Sequence, residues 1–231
     1  MKWAWIIGIV LVLAMLGYCR DVIFPYSWHQ KMTIEVEADG QVYSGSSVVR
    51  VSWRKNDPLG AANGATWLSS LRGEAPFVEI PGRGVLFALL RTANNSSHAE
   101  NLATGILTNR LGSPRGNEDL MAVKEAEGET FILTEAYYPL LVTFTDISDP
   151  KTIKVVDPGN LSSTFGLEFS LKQITVEITN EPVTEGKIAQ VLGWWLALGT
   201  ERKDPPPFRV PDNSPRGHDT VGITQFIMGR H

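Results

Sequence analysis

Cysteine is almost absent: the chain has one, Cys19, inside an apolar leader. The sequence after it has no thiol for an internal disulfide or a thiolate metal site, so its stability has to come from burial. Histidine is scarce too, with His29, His98, His218 and His231 as the whole set. The close histidine–acid pairs are His98 with Glu100 and His218 with Asp219. Neither puts two histidines at helical spacing, so no metal site is expected. A basic excess is also missing. The net charge of −4 leaves no electrostatic footprint for nucleic acid, and none is expected as a partner. No repeat at a fixed period is visible.

Chemical motifs are equally thin. Gly45-Ser46-Ser47-Val48-Val49 lacks the second glycine of a nucleophile elbow and falls inside a strand pattern. Ser46 and Ser47 therefore read as small residues at a bulge or a close backbone approach. Pro81-Gly82-Arg83-Gly84 lies between two strand patterns. A phosphate cradle needs a helix N-terminus at that place, so a hairpin turn is expected and no cofactor. Asp146, Asp149 and Asp157 gather around two turns, but a calcium loop needs denser acids around glycine. Asp-Pro pairs start turns without any ligand. No catalytic residue is assigned.

Charge is missing from one long stretch. Trp3 to Cys19 holds no ionisable acid, lysine or arginine over seventeen residues, which span about 26 Å as a helix. That is the lower end of what crosses a bilayer. Trp3, Trp5 and Tyr18 suit the two interfaces. Lys2 and the amino group precede the run, while Arg20 and Asp21 cancel after it. This charge balance favours a cytoplasmic N-terminus and an exported body. Three fates compete for the leader: a retained anchor, a cleaved signal peptide, and a lipoprotein signal acylated at Cys19. Leu16-Gly17-Tyr18-Cys19 gives no small-x-small cleavage site, and bulky Tyr18 argues against acylation, so the anchor is the favoured reading.

The rest of the chain has a folding composition, with 43% hydrophobic and 20% charged residues. Segment 1–20 is read as the transmembrane anchor, 21–30 as a juxtamembrane linker, 31–200 as one domain and 201–231 as a proline-rich extended tail. Met32, Ile34 and Val36 alternate with polar residues as a strand, and Asp39-Gly40 centres a hairpin turn. On the return strand Tyr43, Gly45, Ser47, Val49, Val51 and Trp53 share one face. Val85 to Arg91 is a continuous apolar run, expected as a central strand buried on both faces. Leu140 to Thr145 reads as a second buried strand. Short helices are expected at His98–Leu107 and from Asn117 to about Glu127, the latter with Leu120, Met121 and Val123 inward. Glu168 to Thr179 is a long alternating strand. Thr184 is expected to cap a helix from Glu185 to Leu198 whose stripe is Ile188, Val191, Leu192, Trp195 and Leu198. Trp194 falls off that stripe, and Trp194 with Trp195 is the candidate interaction surface.

Several blocks carry a resemblance. These are Tyr138 to Lys151 (YPLLVTFTDISDPK), Val156-Asp157-Pro158, and Leu171 to Thr184 (LKQITVEITNEPVT). With Ser44 to Val48 and Leu86 to Leu90 they make the chain, from about Met32 to Leu198, similar to a family of uncharacterised, membrane-anchored bacterial proteins. The resemblance implies an anchor followed by a domain. That family has no assigned activity, so it implies no catalytic residues.

The fold class expected is α+β: a β-rich antiparallel or mixed sheet with a packed C-terminal helix, behind one transmembrane helix. The function expected is a single-pass inner-membrane protein whose domain, outside the cytoplasm, binds a protein partner in the cell envelope. The alternative is a membrane-tethered hydrolase, which needs an acid, His98 or Ser47 to converge in a cleft. A soluble precursor cut after Tyr18 is a third possibility.

Overall fold

A tight hairpin sets the first sheet. Asp39 and Gly40 both take positive φ, 51° and 74°, as a two-residue loop matching the strand twist requires. From it β1 (Tyr26–Ala38) and β2 (Gln41–Lys55) run in unbroken antiparallel register, ending with Tyr26 opposite Trp53. The computed structural model describes residues 25–56, 66–194, 208–209, 220–221 and 226–228. The leader and Trp195 lie outside the described residues. Among those described, no helix is long and apolar enough to cross a membrane. β1 starts inside the segment read as a linker, because Tyr26 and Trp28 continue the alternation that Met32 and Ile34 carry.

The remaining strands are β3 (Trp67–Glu74), β4 (Phe77–Ile80), β5 (Gly84–Ala88), β6 (Thr130–Ile132), β7 (Leu141–Phe144), β8 (Ile153–Val155) and β9 (Phe169–Thr179). Two-residue strands follow: β10 (Phe208–Arg209), β11 (Thr220–Val221) and β12 (Ile227–Met228). One antiparallel sheet has the order β12-β3-β2-β1-β9-β6, a second β4-β5-β7-β8, and β10 pairs with β11. The helices are α1 (His98–Thr108), α2 (Asn117–Glu125), α3 (Ser162–Phe165) and α4 (Lys187–Val191). The described domain is thus a β-rich antiparallel α+β fold, as its alternation indicates.

The large sheet has one covered face. At one end Met32, Ile34, Val36, Ile174 and Val176 pack against Val78, Ile80, Leu86 and Leu141 of the small sheet. At the other end Trp28, Val51, Trp53 and Trp67 pack against Ala99, Ala103, Leu120 and Val123 of the two longer helices. The small sheet and these helices therefore share one layer. Gly45 allows the sheets to approach: a Cβ there would lie 1.7 Å from the Phe77 carbonyl oxygen. The small residues of Gly45-Ser46-Ser47 mark a close approach of backbone, as the sequence suggests. The far face of the small sheet carries Phe87, Leu89, Val142 and Phe144, covered by Ile188, Leu192, Phe226 and Ile227. β5 is accordingly buried on both sides.

Three further expectations change. β9 does not alternate strictly: its register against β1 shifts at Glu35/Val36, so Gln173 faces Glu35 while Leu171 faces Val36. The extra residue, Lys172, lets Phe169 and Leu171 join Ile174, Val176 and Ile178 on the covered side. Met121 is half exposed rather than inward, because α2 is short and only Leu120 and Val123 reach the core. Of the helix expected over Glu185–Leu198, the described residues form Lys187–Val191, which starts after Gly186 and is not capped by Thr184. The Thr184 hydroxyl instead accepts the Val48 amide at 3.0 Å, and the Thr184 amide donates to the Val48 carbonyl at 2.9 Å. Thr184 thereby continues the ladder beside β2 where β3 turns away at Gly73. The buried Glu74 carboxylate takes over as helix anchor, accepting the Gly186 and Ile188 amides.

Candidate functional site

The other face of the large sheet is polar. Even-numbered positions of β2 and their partners on β3 point there, and the register places Arg50 opposite Arg72, Ser52 opposite Ser70, and Arg54 opposite Leu68. These residues form the floor of a groove of about 770 Å³, rimmed by Pro25, Glu185, Gly186 and Ile227. Arg72 pairs with Glu185 at 2.7 Å, but both side chains are more than half exposed, so the pair is weak. Among the described residues no carboxylate pairs with Arg50 or Arg54. Like charges directly opposite each other on a ladder repel. Among the described residues, Glu185 is the carboxylate that offsets the Arg50–Arg72 juxtaposition, through its pair with Arg72.

Ser47 and His98 are each bonded to a backbone carbonyl. Ser47 is buried, and its hydroxyl donates to the Glu74 carbonyl at 2.5 Å. That bond fastens the end of β3 to β2. His98 is 1% exposed in the first turn of α1, its Nε2 3.1 Å from the Tyr137 carbonyl oxygen. With that carbonyl as acceptor, Nε2 carries the proton and Nδ1 is left as a buried acceptor without a partner. Burial lowers the His98 pKa to about 4, against the opposing pull of the Tyr137 carbonyl. The ring is thus a neutral, buried spacer. No hydrogen bond joins it to a hydroxyl or carboxylate among the described residues.

Glu100 and Asn101 share this buried turn, and Glu100 Oε2 and Asn101 Oδ1 also lack partners. Burial raises the Glu100 pKa above the usual carboxylate value. Of the remaining acids, Asp146 accepts from Ser148, Asp149 from the Lys151 amide and Asp157 from the Gly159 amide. Each carboxylate closes its own turn. His29 Nδ1 lies 2.7 Å from the Glu181 carbonyl oxygen on the open face. His218 and His231 lie outside the described residues.

Trp194 of the candidate interaction surface is half-buried beside the small sheet. Its indole nitrogen donates to the Ile147 carbonyl at 2.8 Å, and its ring meets Phe144 edge-on with centroids 5.9 Å apart. The arginine groove is the feature that sequence reasoning missed. Arg50-Ser52-Arg54 alternation was visible, but Arg72 joins it only through the β2–β3 register. No protein-family model, no curated protein and no solved structure matches this chain.

Proposed function

We propose that this is a single-pass membrane protein whose domain lies outside the cytoplasm and binds a partner at the cell envelope. The observation that carries the binding reading is the open Arg50–Arg54–Arg72 groove, set on a rigid antiparallel sheet while Ser47 and His98 are tied into structural hydrogen bonds. The membrane half rests on the uncharged leader, with its interfacial aromatics and its charge balance.

Topology tests it. Full-length protein produced in bacteria is expected to stay with carbonate-washed membranes. Protease added to intact spheroplasts is expected to remove the domain. Recovery in the soluble fraction, or a domain degraded only after lysis, would overturn the reading.

A further inference from the structure

Positive charge is segregated on the open sheet face. On the β1–β9 half every cation is answered: Lys31 pairs with Glu181 at 2.6 Å and Lys172 with Glu35 at 3.5 Å. Glu177 and Glu37 add further negative charge there. On the β2–β3 half Arg50, Arg54 and Arg72 share one face, and Glu185 is the one carboxylate paired with them among the described residues. Arg50 and Arg54 are four residues apart on one strand, a reach of about 14 Å. Leu68 lies opposite Arg54 and Ile227 closes one wall, so apolar surface adjoins the cations. A cationic row beside an apolar patch fits an amphiphile with an anionic head.

The position of the groove matters as much as its charge. Pro25 forms part of its rim. Five residues, Arg20 to Phe24, separate Pro25 from the end of the leader, and fully extended they reach about 20 Å. A groove on so short a tether stays close to whatever surface holds the leader.

The geometry points to an occupant: the Arg50–Arg54–Arg72 groove seats the phosphodiester headgroups of anionic phospholipid from the bilayer that holds the leader. This rests on the membrane-held reading above. Arginine suits the role, because its planar fork donates to two phosphate oxygens at once. Each arginine near an anionic surface strengthens the attraction several-fold, and salt weakens it. The chain as a whole is negative, at −4, so the attraction depends on this face and orients the domain with the face toward the lipid.

The test uses the full chain reconstituted into vesicles of phosphatidylcholine alone, or with about 30% phosphatidylglycerol. Phenylglyoxal labelling of each arginine is read by peptide mass spectrometry. In the anionic vesicles at low salt, Arg50, Arg54 and Arg72 are expected to label about tenfold more slowly than in phosphatidylcholine. That protection is expected to disappear at about 0.5 M salt. Arg54→Ala is expected to weaken protection of Arg50 and Arg72 about fivefold, and Lys154→Ala, on β8 of the other sheet, to leave it unchanged. Equal labelling in the two vesicle types overturns the proposal. So does protection by inorganic phosphate or polyglutamate in phosphatidylcholine vesicles without protection by phosphatidylglycerol, since the site then takes a free phosphate or an acidic peptide. Flotation separates this from the underlying reading. A chain that fails to float with uncharged vesicles has no anchor, whereas one that floats and labels equally keeps its anchor and loses only the lipid groove.

Discussion

His98 and Glu100 sit two residues apart in the first turn of α1, and burial drives their pKa values in opposite directions. His98 holds a proton at about 4 in the fold, against about 6.5 when exposed. Between those values the unfolded chain binds a proton that the folded chain refuses. Its contribution is therefore complete above 6.5 and is lost as pH falls toward 4, a span of about 3 kcal/mol. Glu100 has the other sign. Its neutral form is favoured in the fold, so stability is complete below its unfolded value and is lost as pH rises through its raised one. In thermal melts of the full chain in neutral detergent, His98→Gln is expected to flatten the acid-side loss. Glu100→Gln is expected to raise the midpoint near pH 8 and leave it unchanged near pH 4. Variants whose profiles run parallel to the parent at all pH would exclude these two side chains as the source.

At the scale of elements, β2 and β4 touch where Gly45 leaves room for the Phe77 carbonyl. Gly45→Ala is expected to destabilise the domain by about 3 kcal/mol, since the obstacle is backbone and cannot rotate away. Gly193→Ala, where a Cβ meets nothing within 4 Å, is expected to change little. Comparable losses in urea midpoint for both would remove the close approach as the cause. This contact was legible in the sequence because four consecutive small residues, Ser44 to Ser47, interrupt the strand. The Asp39-Gly40 hairpin and the doubly buried β5 were legible for the same kind of reason: local chemistry fixes them. The bulge at Lys172 was not, because a strict period of two is what a reader of one strand assumes, and only pairing with β1 reveals the slip. The C-terminal helix starts later than its pattern predicts because a good capping residue, Thr184, is recruited by a ladder 136 positions away, at Val48. The arginine groove was hidden for a related reason, since Arg50 and Arg72 become neighbours only through the register.

At the scale of the whole molecule, the small sheet is the middle of three layers, and its outer layer comes from the far end of the chain. Segment 201–231 reads as an extended tail by its prolines, yet Phe226 is fully buried there and its carbonyl accepts the Ala75 amide at 2.8 Å. Its ring lies 5.6 Å from Phe87 and 6.2 Å from Phe144, and β12 follows as the edge strand beside β3. The end of the chain thus fastens both sheets: Phe226 covers the small one while Ile227 pairs opposite Glu74 on the large one. Glu74 in turn anchors α4, so loss of the strap reaches the covering helix as well. Phe226→Ala is expected to cost about 4 kcal/mol of stability, as removal of a buried aromatic does. It is also expected to expose apolar surface on the small sheet, read as increased binding of a hydrophobic dye in a folded sample. The phenyl ring and not the backbone strap carries the packing, so Phe226→Leu should recover most of the loss. A Phe226→Ala protein that melts with the parent would mean that the last residues merely rest on a core complete without them.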